Sequence, residues 1–278
     1  MGSTFATRST RARDLTIMEI READPKDFPE LVPMTEKEGW NYTEDDFHWF
    51  SLVGGKTLVA VNQGEIIGMA TVLDYGDAGW ISNLLVKPKE RGHGIGGEIL
   101  SECKRLLRGK KTIALFSYER SIDFYETNGF RIDVEAYLVS LKDRDKIHGK
   151  TAFVIGAELD EWMIRMDQEC FGYERPKVIK ELAKRGMVLK PQGCDGFAIM
   201  RRDPVEPSVG PVISGETGSG GELLVGALTL AGPNAKAVVL EGGIKPLKYE
   251  ERISRLYLGA PLKIDRSRAV AFAGLELG

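Results

Sequence analysis

The chain has 278 residues, of which 42% are hydrophobic and 28% charged, and its formal net charge is -3. This is an ordinary soluble composition, and the length accommodates one large domain or two of ordinary size. Acidic and basic residues are interspersed, which argues against a nucleic-acid surface, and no apolar run approaches the ~20 residues that a bilayer-spanning helix needs. Three cysteines show neither metal-ligand nor disulfide spacing, so we expect a cytoplasmic protein without a metal site.

The first residues of the chain are rich in Ser, Thr and Arg and lack the apolar core of a secretory signal. We predict that residues 1–15 are a disordered segment or a cloning extension, with a transit peptide as the alternative. Ten elements then follow in the order strand, two helices, three strands, helix, strand, helix, strand. They cover 16–21, 25–37, 43–50, 56–61, 65–73, 80–86, 95–107, 112–117, 121–128 and 134–141. This order predicts a mixed α/β (α+β) sheet with a crossover helix.

Residues 143–152 are dense in charge and predict a linker between one domain at 16–142 and a second at 153–278. For the second half, the sequence pattern predicts two helices, two strands, a helix, a strand, a helix and a strand. This order is similar to that of the first half. The elements cover 158–170, 176–185, 196–201, 209–214, 219–231, 236–240, 250–258 and 269–275. Residues 217–224 also match 93–100 in their glycines and in their place between a strand and a helix. We therefore predict a duplicated domain, with chance similarity as the alternative.

The stretch from Val86 to Gly97, Val-Lys-Pro-Lys-Glu-Arg-Gly-His-Gly-Ile-Gly-Gly, carries the clearest chemistry. Its glycines permit a tight turn that exposes several backbone N–H groups, and the helix start adds the positive end of its dipole. This combination predicts a pyrophosphate site, where Arg91 adds a charge or fixes the loop. A dinucleotide fingerprint lacks its acidic residue ~20 residues further on, and a P-loop lacks its Gly-Lys-Ser/Thr.

Arg91-Gly-His-Gly-Ile-Gly96 is similar to the R/Q-x-x-G-x-G/A signature of the GNAT N-acetyltransferase superfamily. Downstream, Ser121-Ile-Asp-Phe-Tyr-Glu-Thr-Asn-Gly-Phe130 resembles that superfamily's A-I-x-F-Y-E-x-x-G-F segment. The resemblance covers nearly all of 16–141 and implies that acetyl-CoA lies in a splayed gap between the strands at 80–86 and 112–117. It also implies that the pantetheine arm pairs with the first of these strands.

The resemblance further implies a role for individual residues. Contacts with the acyl carrier are expected from Leu84, Leu85, Val86, Arg91, Gly92, His93, Gly94, Ile95, Gly96, Gly97, Ser121 and Phe124. A backbone N–H near Leu85 would stabilise the oxyanion, and Tyr125 would protonate the leaving thiolate or, alternatively, pack in the core. The sequence departs from the family pattern where Tyr118 replaces an Asn and Ser121 an Ala.

The general base and the acceptor site are less well defined. Many relatives carry a Glu on the strand before the loop, whereas this strand offers Ser82 and Asn83. Glu119 and Asp74 are the candidate bases, with a water relay or an already neutral amine as alternatives. Trp40 and Tyr42 are the candidate walls of the acceptor pocket.

The segment Phe171-Gly-Tyr-Glu-Arg175 resembles the F-G-Y-[DE]-R segment of a second domain attached to some prokaryotic GNAT proteins. Tyr173 would line the acceptor cleft or anchor a helix end. Gly215 and Glu216 stand where the first half has Arg91 and Gly92, and a carboxylate repels a pyrophosphate. We therefore expect a degenerate GNAT-like domain, which completes the cleft or the fold.

The functional hypothesis is transfer of acetyl from acetyl-CoA to a primary amine of a small molecule or peptide, through a ternary complex. We expect a monomer or homodimer that acts without nucleic acid, membrane or metal. One alternative is an acyltransferase that uses another acyl-CoA or an aminoacyl donor. The other is an acyl-CoA-binding regulatory module without turnover.

Overall fold

The structure is a computed structural model, and it describes residues 18–142, 153–156, 158–193, 195–202, 206–215, 219–240 and 243–278. The predicted N-terminal segment 1–15 and linker 143–152 lie outside these residues. The helices are α1 (Phe28–Glu36), α2 (Glu44–Leu52), α3 (Ile95–Leu106), α4 (Ile122–Thr127), α5 (Glu161–Phe171), α6 (Pro176–Arg185) and α7 (Gly220–Ala231). The strands are β1 (Glu19–Glu22), β2 (Lys56–Asn62), β3 (Glu65–Tyr75), β4 (Ala78–Val86), β5 (Thr112–Tyr118), β6 (Arg131–Leu141), β7 (Phe153–Ile155), β8 (Gly186–Pro191), β9 (Gly196–Arg201), β10 (Ser208–Ser214), β11 (Ala237–Val239), β12 (Leu247–Gly259) and β13 (Ala269–Phe272).

All of these strands belong to one sheet, in the order β1-β2-β3-β4-β5-β12-β6-β11-β13-β10-β9-β8-β7. Only β4 and β5 are parallel neighbours among the described strands, and they are joined by the crossover helix α3. The predicted mixed α/β fold is confirmed. The predicted start of α2 is also confirmed, because Thr43 and Asp46 form a capping box in which the Thr43 amide donates to Asp46 Oδ2 at 2.8 Å.

The sheet has a different core on each face. In the first half, α3 covers one face through Ile99, Leu100 and Cys103, which pack against Ile81 and the neighbouring strands. On the opposite face, α1 and α2 bury Phe28, Leu31, Phe47, Trp49 and Phe50 in one cluster with α5 and α6 of the second half. The side chains of Phe47, Trp49 and Phe50 are all buried. Because this shared core crosses from one half to the other, the halves are packed together rather than linked by a tether.

The predicted helix at 250–258 is wrong, because these residues lie in strand β12. Ile253, Ser254, Arg255 and Leu256 are all buried, since β12 lies in the middle of the sheet with both faces covered. A strand of this kind lacks the apolar–polar alternation that identifies a half-exposed strand. The short β7 and β8 were not predicted either.

Strand β12 belongs to the predicted second domain but lies in the sheet between two strands of the predicted first domain. It comes from the second half, yet it pairs with β5 on one side, where Ile253 faces Tyr118, and with β6 on the other, where Ile253 faces Ala136. Arg255 of β12 is fully buried and holds Asp133 of the first half with two hydrogen bonds of 2.7 and 3.1 Å. The first half therefore depends on a strand that the second half supplies.

Candidate active site

The parallel strands β4 and β5 separate part of the way along their length. They pair from Ala78 opposite Thr112 to Trp80 opposite Ala114, and beyond this point the pairing ends although both strands continue. On its other edge, β5 stays paired with β12 as far as Tyr118. The result is a gap bordered by the free backbone edges of β4 and β5, as the family resemblance implied.

A β-bulge lies in β4 beside this gap. The pairing of β3 with β4 shifts by one residue between the pairs Thr71–Ser82 and Met69–Leu85, and Asn83 adopts a left-handed conformation with φ 56°. A bulge turns the backbone out of the regular ladder and redirects the residues that follow. The Asn83 side chain is fixed, because Tyr42 donates a hydrogen bond to its Oδ1 at 3.0 Å and its Nδ2 donates to Thr71 Oγ1 at 3.3 Å.

The glycine-rich loop leads from the end of β4 into α3. Gly92 and Gly94 have φ angles of 82° and 85°, which explains why glycine is needed there, and Gly94 is the N-cap of α3. A Cβ atom built at Gly92, Gly94 or Gly97 would meet nothing within 4 Å. The amides of the first helical turn have no partner within the helix. The site thus fits a pyrophosphate group.

The predicted carrier-binding residues from three elements lie together. A Cβ atom at Gly96 would be 3.5 Å from Phe124 Cζ and 3.7 Å from Val86 Cγ2, so α3, α4 and the end of β4 meet at this glycine. Ser121 is the N-cap of α4 and is half-buried. The contacts also identify a role for Arg91. Its Nε donates to the Val86 carbonyl oxygen at 2.9 Å and its Nη2 pairs with Glu38, so its side chain fixes the loop.

Tyr125 lies on α4, in the core cluster on the α3 side of the sheet. Its side chain is 8% exposed and packs edge-on against Phe124 and Phe130, with ring centroids 5.1 and 6.0 Å away. Burial, together with the nearby Cys103, raises the pKa of its hydroxyl. The core packing that we gave as the alternative role is therefore present, and at neutral pH the hydroxyl keeps its proton.

The two candidate bases lie in different places. Asp74 pairs with Lys110 and accepts a hydrogen bond from the Gly76 amide at 3.0 Å, in the hairpin turn before β4. That turn is at the end of β4 away from the gap, so the structure does not support Asp74 as a base. Glu119 follows β5 directly and is exposed. Its role as a base stays a prediction.

The face of the gap opposite α3 is lined with aromatic side chains. Trp80, Phe116 and Tyr118 of β4 and β5 belong to the core on this face, and the half-buried Tyr42 and Trp40 pack against the same core with their rings 6.3 Å apart. Burial, and after it the negative charge of Glu276, raises the pKa of Tyr42. The two predicted wall residues therefore lie beside the bulge of β4.

Tyr173 is an interior residue, 4% exposed, and it stacks on Tyr75 of the first half with ring centroids 5.4 Å apart. Arg175 lies over its ring and makes two hydrogen bonds of 2.9 Å to Asp167. Two roles were predicted for Tyr173, lining the acceptor cleft or anchoring a helix end, and its packing fits the anchor. A contact between Tyr173 and the acceptor stays a prediction.

The second half has the corresponding elements, but its gap is filled. Strand β13 lies between β10 and β11, and one isolated parallel bridge joins Ser208 of β10 to Lys236, the residue before β11. At the start of α7, a Cβ atom at Gly220 would be 2.4 Å from Val270 Cγ2 of β13. The predicted Glu216 and most of the matching loop lie outside the described residues. The described part of this site is closed by the chain itself.

In the part of the chain that the structure describes, no group of three or more His, Cys, Asp or Glu side chains is arranged to hold a metal ion. Nor does any described helix combine the length and the apolar character needed to cross a bilayer. The described cysteines, Cys103 and Cys170, are buried and unpaired, and burial raises the pKa of each thiol to about 12.

Comparisons with known proteins agree with this architecture. A sequence profile described as an acetyltransferase (GNAT) domain matches residues 53–132, and a second profile with the same description matches 163–235. A histidine N-acetyltransferase from Scomber australasicus is 28% identical over 98 residues, which are 34% of this chain and 29% of the relative's length. The chain thus spans less than a third of that relative.

Two solved structures share the fold over most of the chain. One is a protein from Pyrococcus horikoshii assigned to the acetyltransferases, with a TM-score of 0.82 at 19% identity, covering 99% of this chain and all of its own length. The other is a GCN5-related N-acetyltransferase from Sphaerobacter thermophilus, with a TM-score of 0.59 at 13% identity, covering 89% of this chain and 98% of its own. The fold and the profiles together define a protein with two acyltransferase-type domains. The chain belongs to the GNAT acetyltransferase family and carries two of its domains in tandem.

Proposed function

We propose that the first half transfers acetyl from acetyl-CoA to a primary amine while both substrates are bound. The observation that carries this proposal is the open gap between β4 and β5 beside an unobstructed helix start. The amides of residues 91–97 would hold the pyrophosphate, and the free edge of Leu84–Val86 would pair with the pantetheine arm. The second half, whose gap is filled by β13, would bind no acyl carrier of its own.

The chemistry needs a polarised carbonyl and a good leaving group. The amine nitrogen forms a bond with the acetyl carbon, and a backbone N–H near Leu85 stabilises the oxyanion that results. The carbon–sulfur bond then breaks, and the proton that the nitrogen gives up balances the one that the sulfur gains. Since its pKa is raised, Tyr125 acts as a hydrogen-bond donor to the sulfur rather than as a complete proton donor.

Release of the CoA thiol with a panel of amines tests the proposal, and histidine belongs in the panel because of the relative's name. We expect at least one amine to accelerate thiol release. A hydrogen bond to a charged group contributes about 1.5–3 kcal/mol, so Tyr125→Phe should lower kcat about 10- to 100-fold. Acetyl-CoA affinity, measured by calorimetry, should stay the same. Tight binding of acetyl-CoA without turnover of any amine would instead indicate the regulatory module.

A further inference from the structure

A short turn follows β13 at residues 274–278. The Gly278 amide donates to the Gly274 carbonyl oxygen and the Ala273 amide to that of Gly278, both at 3.1 Å. Within this turn, Glu276 forms an ion pair of 2.8 Å with Arg201 of β9, whose Nε also donates to Ser208 Oγ at 2.6 Å. The Glu276 side chain is 14% exposed and that of Arg201 27%. Both are thus shielded from solvent but still accessible.

The turn is clamped by both halves of the molecule. Tyr75 of β3 donates a hydrogen bond to the Leu277 carbonyl oxygen at 3.0 Å, and Arg175 donates to the same oxygen at 2.9 Å and to that of Gly278. Arg175 is itself held by the buried Asp167. The Phe171–Arg175 segment therefore helps to fix the two residues that follow Glu276 against the first half.

The turn that carries Glu276 lies beside the point where the gap opens, because a Cβ atom at Gly278 would be 2.9 Å from the Trp80 ring. The charge of Glu276 contributes to the raised pKa of both Tyr42 and Tyr118, after burial as the main cause. Tyr42 is bonded to Asn83 in the bulge of β4, and Tyr118 ends β5, so these hydroxyls mark the two sides of the gap. The turn with its Glu276–Arg201 pair therefore lies on the face of the gap opposite α3, in the same core cluster as Trp80.

Each member of the ion pair keeps one polar atom for another partner. Among the described contacts, Arg201 uses Nη1 for Glu276 and Nε for Ser208, and Glu276 uses Oε1. The two remaining atoms lie close together beside Gly274, because its Cβ position would be 2.8 Å from Glu276 Oε2 and 3.1 Å from Arg201 Nη2. A half-buried ion pair adds little to stability, since the loss of hydration offsets the attraction, so stability alone does not account for it.

We propose that Glu276 and Arg201 form the acceptor subsite and that they select an amine that also carries a carboxylate, as a free α-amino acid does. The inference rests on the proposed function of the first half. Glu276 Oε2 would bind the amino group, and Arg201 Nη2 would bind the carboxylate as a charge-assisted hydrogen bond. The second half thereby supplies acceptor recognition to a reaction that takes place in the first half.

Kinetics with matched acceptors test this subsite without any variant. Initial rates are measured for free α-amino acids, their α-carboxamides and the corresponding decarboxylated amines, at a fixed concentration of acetyl-CoA. We expect kcat/KM for the free acid to exceed that of the other two by about 10- to 100-fold, as expected for one hydrogen bond between charged groups. Equal rates for all three would overturn the inference, whereas no turnover of any amine would count against the proposed function instead.

Variants assign the preference to the two residues. Arg201→Gln should reduce the preference for the free acid to less than about threefold, because the cation that binds the carboxylate is gone. Glu276→Gln keeps the shape of the side chain and should raise the KM for every amine about tenfold. Neither variant should change the KM for acetyl-CoA. The control is Glu251→Gln, an exposed carboxylate whose charge also acts on Tyr118, and it should change neither quantity. An unchanged acid preference in a folded Arg201→Gln protein would reject the subsite.

Discussion

The two halves follow a similar order of elements but differ at the place where a GNAT domain would bind its acyl carrier. In the first half, β4 and β5 separate after Trp80 and Ala114, and the start of α3 faces open space. In the second half, β13 lies between β10 and β11, and its Val270 side chain packs against the start of α7. The position of one strand decides whether the same arrangement is an open site or a closed core.

The exchange of strands explains why the closed half is still needed. β12 completes the sheet of the first half between β5 and β6, and the turn after β13 is clamped against Tyr75. A duplicated domain that gives up its own site can supply structure and contacts to the other copy. One variant with its control tests the contact between the halves, and two further pairs of variants compare the two halves directly.

The largest effect is expected for Arg175→Met, which removes the clamp of the second half. Asp167 is 1% exposed and would lose its ionic partner, and the carbonyl oxygens of Leu277 and Gly278 would lose a donor. Breaking a buried ion pair by removing one member costs about 3–5 kcal/mol. Denaturant unfolding should show a decrease of this size in the free energy of unfolding.

Arg165→Met is the matched control, because Arg165 is an exposed arginine on α5, the helix that carries Asp167. A surface substitution of this kind should change stability by less than about 0.5 kcal/mol. If Arg175→Met cost no more than its control, the buried pair would not be what holds the turn in place.

The second pair places a carboxylate at the start of α3 or of α7. Gly97→Glu has room for its side chain and would set a negative charge in front of the proposed pyrophosphate site. Two unit charges 4 Å apart near a protein surface interact by about 4 kcal/mol, so acetyl-CoA binding should weaken at least ~100-fold in calorimetry. An acidic residue is favourable in the first turn of a helix, so the fold should tolerate the change.

Gly221→Glu makes the corresponding change in the second half, where a Cβ atom would lie 3.4 Å from Ile244 Cγ2. Since we place no carrier there, acetyl-CoA affinity should stay within about twofold of the wild-type value, as expected for a distant, screened charge. Comparable weakening by both variants would mean that the second half also takes part in binding.

The sequence predicted the open site better than the closed one, for a physical reason. The glycine loop, the crossover helix and the segment with Tyr125 are local signals on adjacent elements, and the structure brings Val86, Gly96 and Phe124 together as expected. By contrast, the placement of β12 and β13 depends on pairing between distant segments. Residues 250–258 have helix-like spacing of apolar residues, and their pairing with β5 and β6 makes them a strand, which is buried on both faces from Ile253 to Leu256. Glu276 and Arg201 belong to no motif, and only the fold brings them together and sets their turn against Trp80.

The smallest effects are expected from adding one methyl group at equivalent glycines. In Gly96→Ala the new Cβ lies 3.5 Å from Phe124, an ordinary contact, and alanine favours a helix over glycine by about 0.5–1 kcal/mol. The free energy of unfolding should therefore rise by up to this amount. In Gly220→Ala the new Cβ would lie 2.4 Å from Val270 Cγ2, and overpacking against a stiff β-branched side chain costs about 1–3 kcal/mol.

Denaturant unfolding without acetyl-CoA should thus show opposite signs for the two alanine variants, and adding Val270→Ala should restore the stability of Gly220→Ala. Acetyl-CoA affinity adds a second comparison. The methyl group of Gly96→Ala lies at the proposed site and should weaken binding although it stabilises the fold, whereas Gly220→Ala should leave binding unchanged. Destabilisation by both substitutions would show that the start of α3 is packed as tightly as that of α7, and the contrast between an open and a filled site would then be wrong.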